Sequence, residues 1–380
     1  MRIVVSGGGT AGHVSPVLAT VDALRKSDPR LEFIYIGQAA GIEAELARAA
    51  GLRFVSVCGG KFRRLPGAGL WRNLLQLDNL ALNLRDIFLI AIGSLQAWWV
   101  LRRLRPQAVF NKAGPTGLPV GLACRVLGIP MVIHEPDVIP GVNNRMLSRW
   151  AAAIAVGFPK KLYPQLPADK LHYTGNPVGP AILKADKATA IQQFSLNPKR
   201  PVVVIAGGSQ GALAINEAVA EILPDLIQKA QVVHVAGREG YIQAQAAAQK
   251  KIGASPDYHV VAFLPMAELG ALYRAATIVV GRAGANTIAE LAALAKPVIL
   301  LPNHQAAAHQ IANARWLATA AAAVVLPNEQ PEPLLAAITK LLAAPPATRQ
   351  QLATHIAACY VADASQRLAA LVLKAAGSRQ

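Results

Sequence analysis

Three stretches of the chain carry residue types and spacings suited to binding an anion. In residues 277–313, a β-branched run from Thr277 to Val280 enters a turn at Gly281 to Gly284, and a helix opens near Asn286 with Glu290 in its first turns. Unpaired amides and the positive dipole end of a helix attract phosphate, glycine lets backbone approach it, and a nearby carboxylate can hold the two hydroxyls of a ribose. The loop Gly7 to Gly12 lies between an IVVS strand and a helix, where a backbone cradle for phosphate or sugar belongs. His13 follows it directly, able to project near the cradle or to serve as an ordinary helix-cap histidine. GGSQG, at Gly207 to Gly211, offers the hydroxyl of Ser209 and the surrounding amides to a pyrophosphate. Plain βαβ packing needs the same strand, turn and helix, so each stretch alone indicates no more than a nucleotide or other anion site.

Other chemistries fit less well. GGSQG also satisfies the G-x-S-x-G nucleophile elbow of α/β-hydrolases, with Asp225 or Asp257 and His304, His309 or His355 as formal partners. No HGGG-type oxyanion motif precedes it, and the elbow falls beyond the middle of the chain. The first loop departs from G-x-G-x-x-G, and the acidic residue about 20 positions on, Glu32, starts a strand instead of ending one. No two aspartates stand one residue apart, His304 and His309 are five apart, and no HExxH occurs, so a metal site is not expected. Any departing diphosphate must then be neutralised by Arg282, helix ends and glycine amides.

The elements that would position these residues follow one plan twice. PVVVIAGGSQGALAINEAV (201–219) repeats the strand, glycine loop and helix of IVVSGGGTAGHVSPVLATV, and Lys112-Ala113-Gly114 is echoed by Arg282-Ala283-Gly284. With 380 residues rich in alanine, leucine and valine, this predicts an α/β protein of two Rossmann-like, doubly wound domains, 1–178 and 179–380, with the ligand in an interdomain cleft. Prolines 159, 164, 167, 177 and 180 mark the join, and the tail from Ser365 to Lys374 could pack on either domain. Cys58, Cys124 and Cys359 show no paired spacing, and no signal peptide is read at Met1, which fits a reducing cytoplasm.

A net charge of +17 demands an acidic partner. No basic run with interleaved aromatics supports nucleic acid, so anionic lipid or phosphate is favoured. Residues 61–105 hold eight basic residues around an apolar body with Trp71, Trp98 and Trp99. Its continuous part, Ile87 to Leu101, falls short of the roughly 20 residues that span a bilayer, and is expected as a buried helix. Before it, Lys61, Arg63, Arg64, Leu65, Leu70, Trp71 and Arg72 read as a rim that could rest on anionic lipid.

Taken together, the chain resembles the MurG family, N-acetylglucosaminyltransferases that convert lipid I into lipid II. GGGTAGHVSP (7–16), HEPDVIPGVNN (134–144), TGNPV (174–178), GGSQGALAIN (207–216) and RAGANTIAELAALAKPVILLP (282–302) carry the likeness in order, with His309-Gln310 and Asn313 after them. The resemblance implies a GT-B glycosyltransferase fold, inverting and without metal or other cofactor, on the cytoplasmic face of the cell membrane as a peripheral enzyme of peptidoglycan synthesis. Its partners would be UDP-N-acetylglucosamine, the lipid I acceptor and the anionic inner-leaflet surface. Leu264 and Ala285 would flank the uracil, Glu290 would bond the ribose, and Ser209, Asn286, Thr287 and Arg282 would meet the diphosphate. Gln310, Thr10, Ala11, Gly12 and Asp137 would serve the donor sugar. His13 is the first candidate for the base that deprotonates the acceptor, and Glu135 the second. Departures from the family pattern stand at Asp137 for Asn, Gly179 for Arg, His309 for Gln and Ala11 for Gly. A related transferase acting on diacylglycerol is the alternative; a hydrolase using Ser209 and a non-enzymatic membrane-binding protein are remoter.

Overall fold

Short apolar runs form central strands buried on both faces, as expected where helices cover both sides of a parallel sheet. The computed structural model describes residues 1–9, 11–60, 77–208, 212–303 and 308–378, and leaves out the side chains of 11–13 and 77–81. Thr10, Ser209, His304 and the 61–72 rim therefore lie outside the described residues, as do the side chains of Ala11, Gly12 and His13.

The first compact unit comprises Met1–Pro177 and Asp363–Gln380. Its elements run β1 (Arg2–Ser6), α1 (Ala11–Ser27), β2 (Glu32–Gly37), α2 (Ile42–Ala49), β3 (Arg53–Ser56), α3 (Leu77–Leu104) and β4 (Ala108–Asn111). They continue through α4 (Gly117–Leu127), β5 (Met131–Glu135), α5 (Val142–Leu147), β6 (Ala153–Val156) and β7 (Leu171–Tyr173). The strands form one parallel sheet ordered β3-β2-β1-β4-β5-β6-β7. Strand order reverses between β1 and β4, and such switch points are where α/β sheets bind ligands. α1 begins within the glycine loop, at Ala11, so His13 lies in its first turn and Pro16 inside the helix.

The second unit, Val178–Ala362, repeats the pattern. It contains α6 (Pro180–Leu183), α7 (Lys187–Gln193), β8 (Val202–Ala206), α8 (Leu213–Leu226), β9 (Gln231–Val235), α9 (Tyr241–Ile252), β10 (Tyr258–Val261), α10 (Met266–Ala275) and β11 (Ile278–Gly281). α11 (Ala285–Ala293), β12 (Val298–Leu300), α12 (Ala308–Thr319), β13 (Val324–Val325), α13 (Pro331–Ala343) and α14 (Pro346–Ala357) follow. The sheet is ordered β10-β9-β8-β11-β12-β13, and its order reverses between β8 and β11. The last helix, α15 (Ala364–Gly377), belongs to the first unit. Leu368, Ala369, Val372, Ala375 and Ala376 form its apolar stripe and share a core with Val14, Val17, Val21 and Leu24 of α1.

α3 corrects one expectation. It is longer than the apolar run that suggested it, and only one stripe is buried: Asp86, Ile90, Gly93, Ala97, Leu101 and Leu104. Gly93 lies so close to the Cys58 carbonyl that an added Cβ would stand 2.0 Å from its oxygen. A second stripe, Leu84, Phe88, Leu95 and Trp99, faces outward, with Phe88 66% and Leu95 70% exposed. An apolar count overstates burial when a helix carries two apolar stripes and packs only one. Over Leu82–Leu104 the helix is long and apolar enough to cross a membrane by length and composition. At its end Arg103 stacks over Trp99, 3.7 Å from the ring centre, and Arg102 lies over Trp98.

Leu368→Ala is expected to cost the first unit about 2–5 kcal/mol, because it opens a cavity under α15. Hydrogen exchange should quicken in β1 and β4 peptides and hold in β8 and β11 peptides; equal quickening in both would show that α15 does not belong to the first unit alone.

Candidate active site

In the second unit, the switch point is made by close backbone contact. A Cβ at Gly281 would meet the Ala206 carbonyl oxygen at 2.8 Å, so the turn after β11 passes against the end of β8 where the GGSQG loop begins. Gly208 holds φ +96°, a left-handed value that suits glycine. Leu301 N–H donates to the Gly281 carbonyl at 2.9 Å, and the buried Asn313 amide donates to the Ala283 carbonyl at 3.0 Å. These bonds fix the turn that starts α11. Gly284 is its N-cap, with no side-chain cap and no acidic residue in the first turn. α8 likewise starts without a side-chain cap or a first-turn acid. Two helix starts at one sheet edge therefore offer their amides to an anion.

The residues nominated here divide by what holds them. Glu290 is 9% exposed on α11, and burial lifts its carboxyl to about 8. Gln310 accepts from Asn303 N–H at 3.1 Å through Oε1, which fixes the amide and directs its NH2 elsewhere. Arg282 is paired with Glu329 and donates to the Leu301 carbonyl at 3.0 Å, so its guanidinium is tied to the scaffold beside the turn. Leu264 and Ala285 are buried, while Asn286 and Thr287 are half-buried in the first turn of α11.

The first unit carries the same contact in another form. A Cβ at Gly114 would meet Gly8 O at 2.5 Å, and Ala113 and Gly114 both take positive φ. The turn is held by Asn111, whose Oδ1 accepts from Ala113 N–H at 2.9 Å and whose amide donates to Gly117 O at 2.8 Å. Here the glycine loop is braced by the protein's own anion. The buried Glu43 carboxylate accepts from Gly9 N–H at 3.2 Å and Gln38 N–H at 3.1 Å, and lies under Gly8 and Gly41 with no room for a side chain. Sequence reading missed Glu43, because a glutamate in the first turn of an amphipathic helix reads as a solvated residue favoured by the dipole. The glycine two residues before it, in Gly41-Ile42-Glu43, was the available signal.

Glu135 is 2% exposed, and both its oxygens are engaged. Oε1 accepts from Asp137 N–H at 3.1 Å, and Oε2 from Gly141 N–H at 2.8 Å and the Asn144 amide at 2.9 Å. Burial and the Asp137 charge raise it to about 7, against the pull of those donors. Its neighbour Lys112 is wholly buried, and His134 is held far below its usual range, first by burial and then by Lys112. Glu135 thereby organises the loop 135–141 from within. Among the described residues no cluster of three or more His, Cys, Asp or Glu could hold a metal.

Two parallel-sheet α/β units with glycine turns at their switch points constitute a GT-B glycosyltransferase fold. Residues 3–156 match the glycosyltransferase family 28 N-terminal domain and 202–368 the family's C-terminal domain. The chain is 35% identical over 346 residues to the UDP-N-acetylglucosamine--N-acetylmuramyl-(pentapeptide) pyrophosphoryl-undecaprenol N-acetylglucosamine transferase of Lachnospira eligens, covering 90% of this chain and 91% of that one. It is 34% identical to the protein of that name from Bacillus licheniformis, over 97% of each. The crystal structure of Acinetobacter baumannii MurG superposes with a TM-score of 0.71 at 25% identity, over 98% of this chain and 99% of that one. The chain belongs to the MurG family of N-acetylglucosaminyltransferases, within glycosyltransferase family 28.

Two substitutions test this geometry without substrate. An unfolded glutamate releases its proton near 4.5 whereas folded Glu290 keeps it to about 8, so its stabilising contribution is full below 4.5 and is lost as pH rises through 8. Glu290→Gln should therefore gain denaturant resistance relative to the parent between pH 5 and 9, and parallel curves would disprove the burial argument. Glu43→Ala should cost about 1–3 kcal/mol for each buried amide it orphans, read as a lower unfolding midpoint.

Proposed function

We propose that the chain transfers N-acetylglucosamine from UDP-N-acetylglucosamine to the C4 hydroxyl of the muramoyl sugar of lipid I, giving lipid II, with inversion and without a metal. The observation that carries this reading is the uncapped start of α11 with Glu290 behind it, in a chain aligned almost end to end with enzymes of that name. The diphosphate lies on the amides of α8 and α11, and the ribose diol donates to Glu290. Leu264 and Ala285 bracket the uracil, Asn286 and Thr287 with Ser209 complete the phosphate site, and Gln310 donates its NH2 to a sugar hydroxyl. Arg282, held by Glu329, adds positive potential without needing direct contact.

As the C4 oxygen bonds to the anomeric carbon, its proton passes to His13 and the bond to the diphosphate oxygen breaks. The leaving charge falls on the helix amides. His13 is favoured by its place in the first turn of α1, beside the braced loop. We assign Glu135 to holding the loop, since both its oxygens are already engaged. Thr10, Ala11, Gly12 and Asp137 line the sugar side. Transfer to diacylglycerol is disfavoured by the names the relatives carry.

The acceptor is lipid-linked, so the enzyme works at the inner-leaflet surface as a peripheral protein. The outward stripe of α3 supports this: Leu84, Phe88, Leu95 and Trp99 enter the acyl boundary while Arg102 and Arg103 meet anionic headgroups. The +17 charge favours the same surface and no nucleic acid is called for.

Purified protein should release UDP from UDP-N-acetylglucosamine with lipid I and not with diacylglycerol. His13→Ala should lower turnover by about 10²–10⁴-fold with donor binding intact; near-normal turnover would remove His13 from the base role. Phe88→Asp with Leu95→Asp should weaken binding to phosphatidylglycerol vesicles while leaving UDP binding unchanged, and undiminished vesicle binding would exclude the α3 stripe.

A further inference from the structure

The first unit buries a charge that the mechanism above does not use. β4 and β5 are adjacent parallel strands with Asn111 opposite Ile133, so Lys112 and His134 leave the sheet at the same edge and Glu135 and Asp137 follow. Lys112 is wholly buried. Its N–H donates to Ser6 O at 2.7 Å, and its Cβ presses on Gly7, where an added Cβ would come within 2.9 Å. The amine has no hydrogen-bond partner among the described residues. A side chain needed only to fill this space would be apolar, because burying an amine without a hydrogen bond is costly. The acidic groups at this edge are Glu135, buried at the end of β5, and half-buried Asp137 two residues on, whose backbone N–H donates to Glu135. The other titratable groups around the pair are His134, on β5, with Tyr163 and Tyr173 from the segment that closes the sheet.

We propose that Lys112 is the internal counter-charge of the Glu135–Asp137 carboxylate pair, and through it a positioning residue for the sugar side of the reaction. Burial pushes the Lys112 amine down to about 8, and Glu135 and then Asp137 oppose this by favouring its charged form. The ammonium favours the ionised form of Glu135, the form that holds Gly141 and Asn144, and position 137 can present an acceptor-only carboxylate to a sugar hydroxyl. Without it, buried Glu135 stands beside the Asp137 charge with no cation to offset it, is pushed further toward its protonated form, and the loop 135–141 loses an acceptor. The inference rests on the proposed transferase reading for its kinetic consequence, and on the structure alone for its electrostatic one.

The test is a double-mutant cycle of Lys112→Met, Asp137→Asn and the pair. Methionine keeps most of the lysine volume and asparagine that of aspartate, so a packing role predicts no rescue. Lys112→Met should lower transfer to lipid I by roughly tenfold or more, and Asp137→Asn in that background should restore most of the loss, a coupling expected of residues in one buried network. UDP binding should stay within about twofold across the cycle, because the donor site belongs to the second unit. Thermal unfolding midpoints should show the same rescue, and the double variant should fold even where Lys112→Met does not. A double variant no better than Lys112→Met in both transfer and midpoint, or one that does not fold, overturns the counter-charge. Absence of transfer by the parent protein, with midpoint rescue retained, would count against the transferase reading alone.

Discussion

Both units depend on the contact between neighbouring turns where strand order reverses. Helices leaving β1 and β4, or β8 and β11, start from adjacent strands at one sheet edge, and their turns can meet only if a side chain is missing between them. Gly114 against Gly8 O and Gly281 against Ala206 O are those meeting points, closer than any Cβ tolerates. Once the turns touch, the first N–H groups of the following helices converge, and the parallel sheet behind them is too well buried to yield. An anion site is then a consequence of topology, before any side chain is chosen.

The two copies of this plan have diverged in how they fill that site. In the second unit no side-chain cap or first-turn acid occupies the start of α11, so its amides suit a ligand that brings its own negative charge. In the first unit Glu43 supplies the negative charge internally, and Gly9 N–H is turned to it. A loop already holding a carboxylate is a poor cradle for phosphate and a stiff platform for the helix start that follows. Under the proposed function the likeness between the glycine loops conceals a division of labour, one loop binding charge and the other positioning a side chain.

That division marks the limit of what the residues alone disclose. The strands, the repeat and the glycine turns were legible because each follows from a local rule: β-branched runs, a fixed order, glycine where backbone must pass close. The start of α11 was legible for the same reason. Glu43 was not, since one of its two amide partners, Gly9 N–H, belongs to a loop more than thirty residues earlier. The set Lys112-Ala113-Gly114 looked like a twin of Arg282-Ala283-Gly284, yet the first turn runs through two left-handed residues and buries its lysine, while the second pairs its arginine with Glu329. The apolar run in α3 was legible as helix but not as two stripes, because burial of one depends on Cys58 and the chain beside it. The placement of α15 was open for the same reason: its stripe fits any apolar groove, and only α1 decides which.

Desolvated carboxylates then recur at the edges where ligands belong. Glu290 is lifted by burial alone, and Glu135 by burial and a neighbouring charge. Such groups are destabilising when ionised and unpaired, so the fold keeps them only where something offsets the cost. For Glu135 the offset is internal: backbone amides, Asn144 and, by inference, Lys112. For Glu290 the chain supplies no comparable set of donors in the described residues, and a diol that donates two hydrogen bonds would relieve the strain and favour the anion together. Under the proposed function the ligand is then selected by hydroxyl geometry as well as by charge, since a bare diphosphate, which brings no hydroxyl, would leave Glu290 favouring its proton.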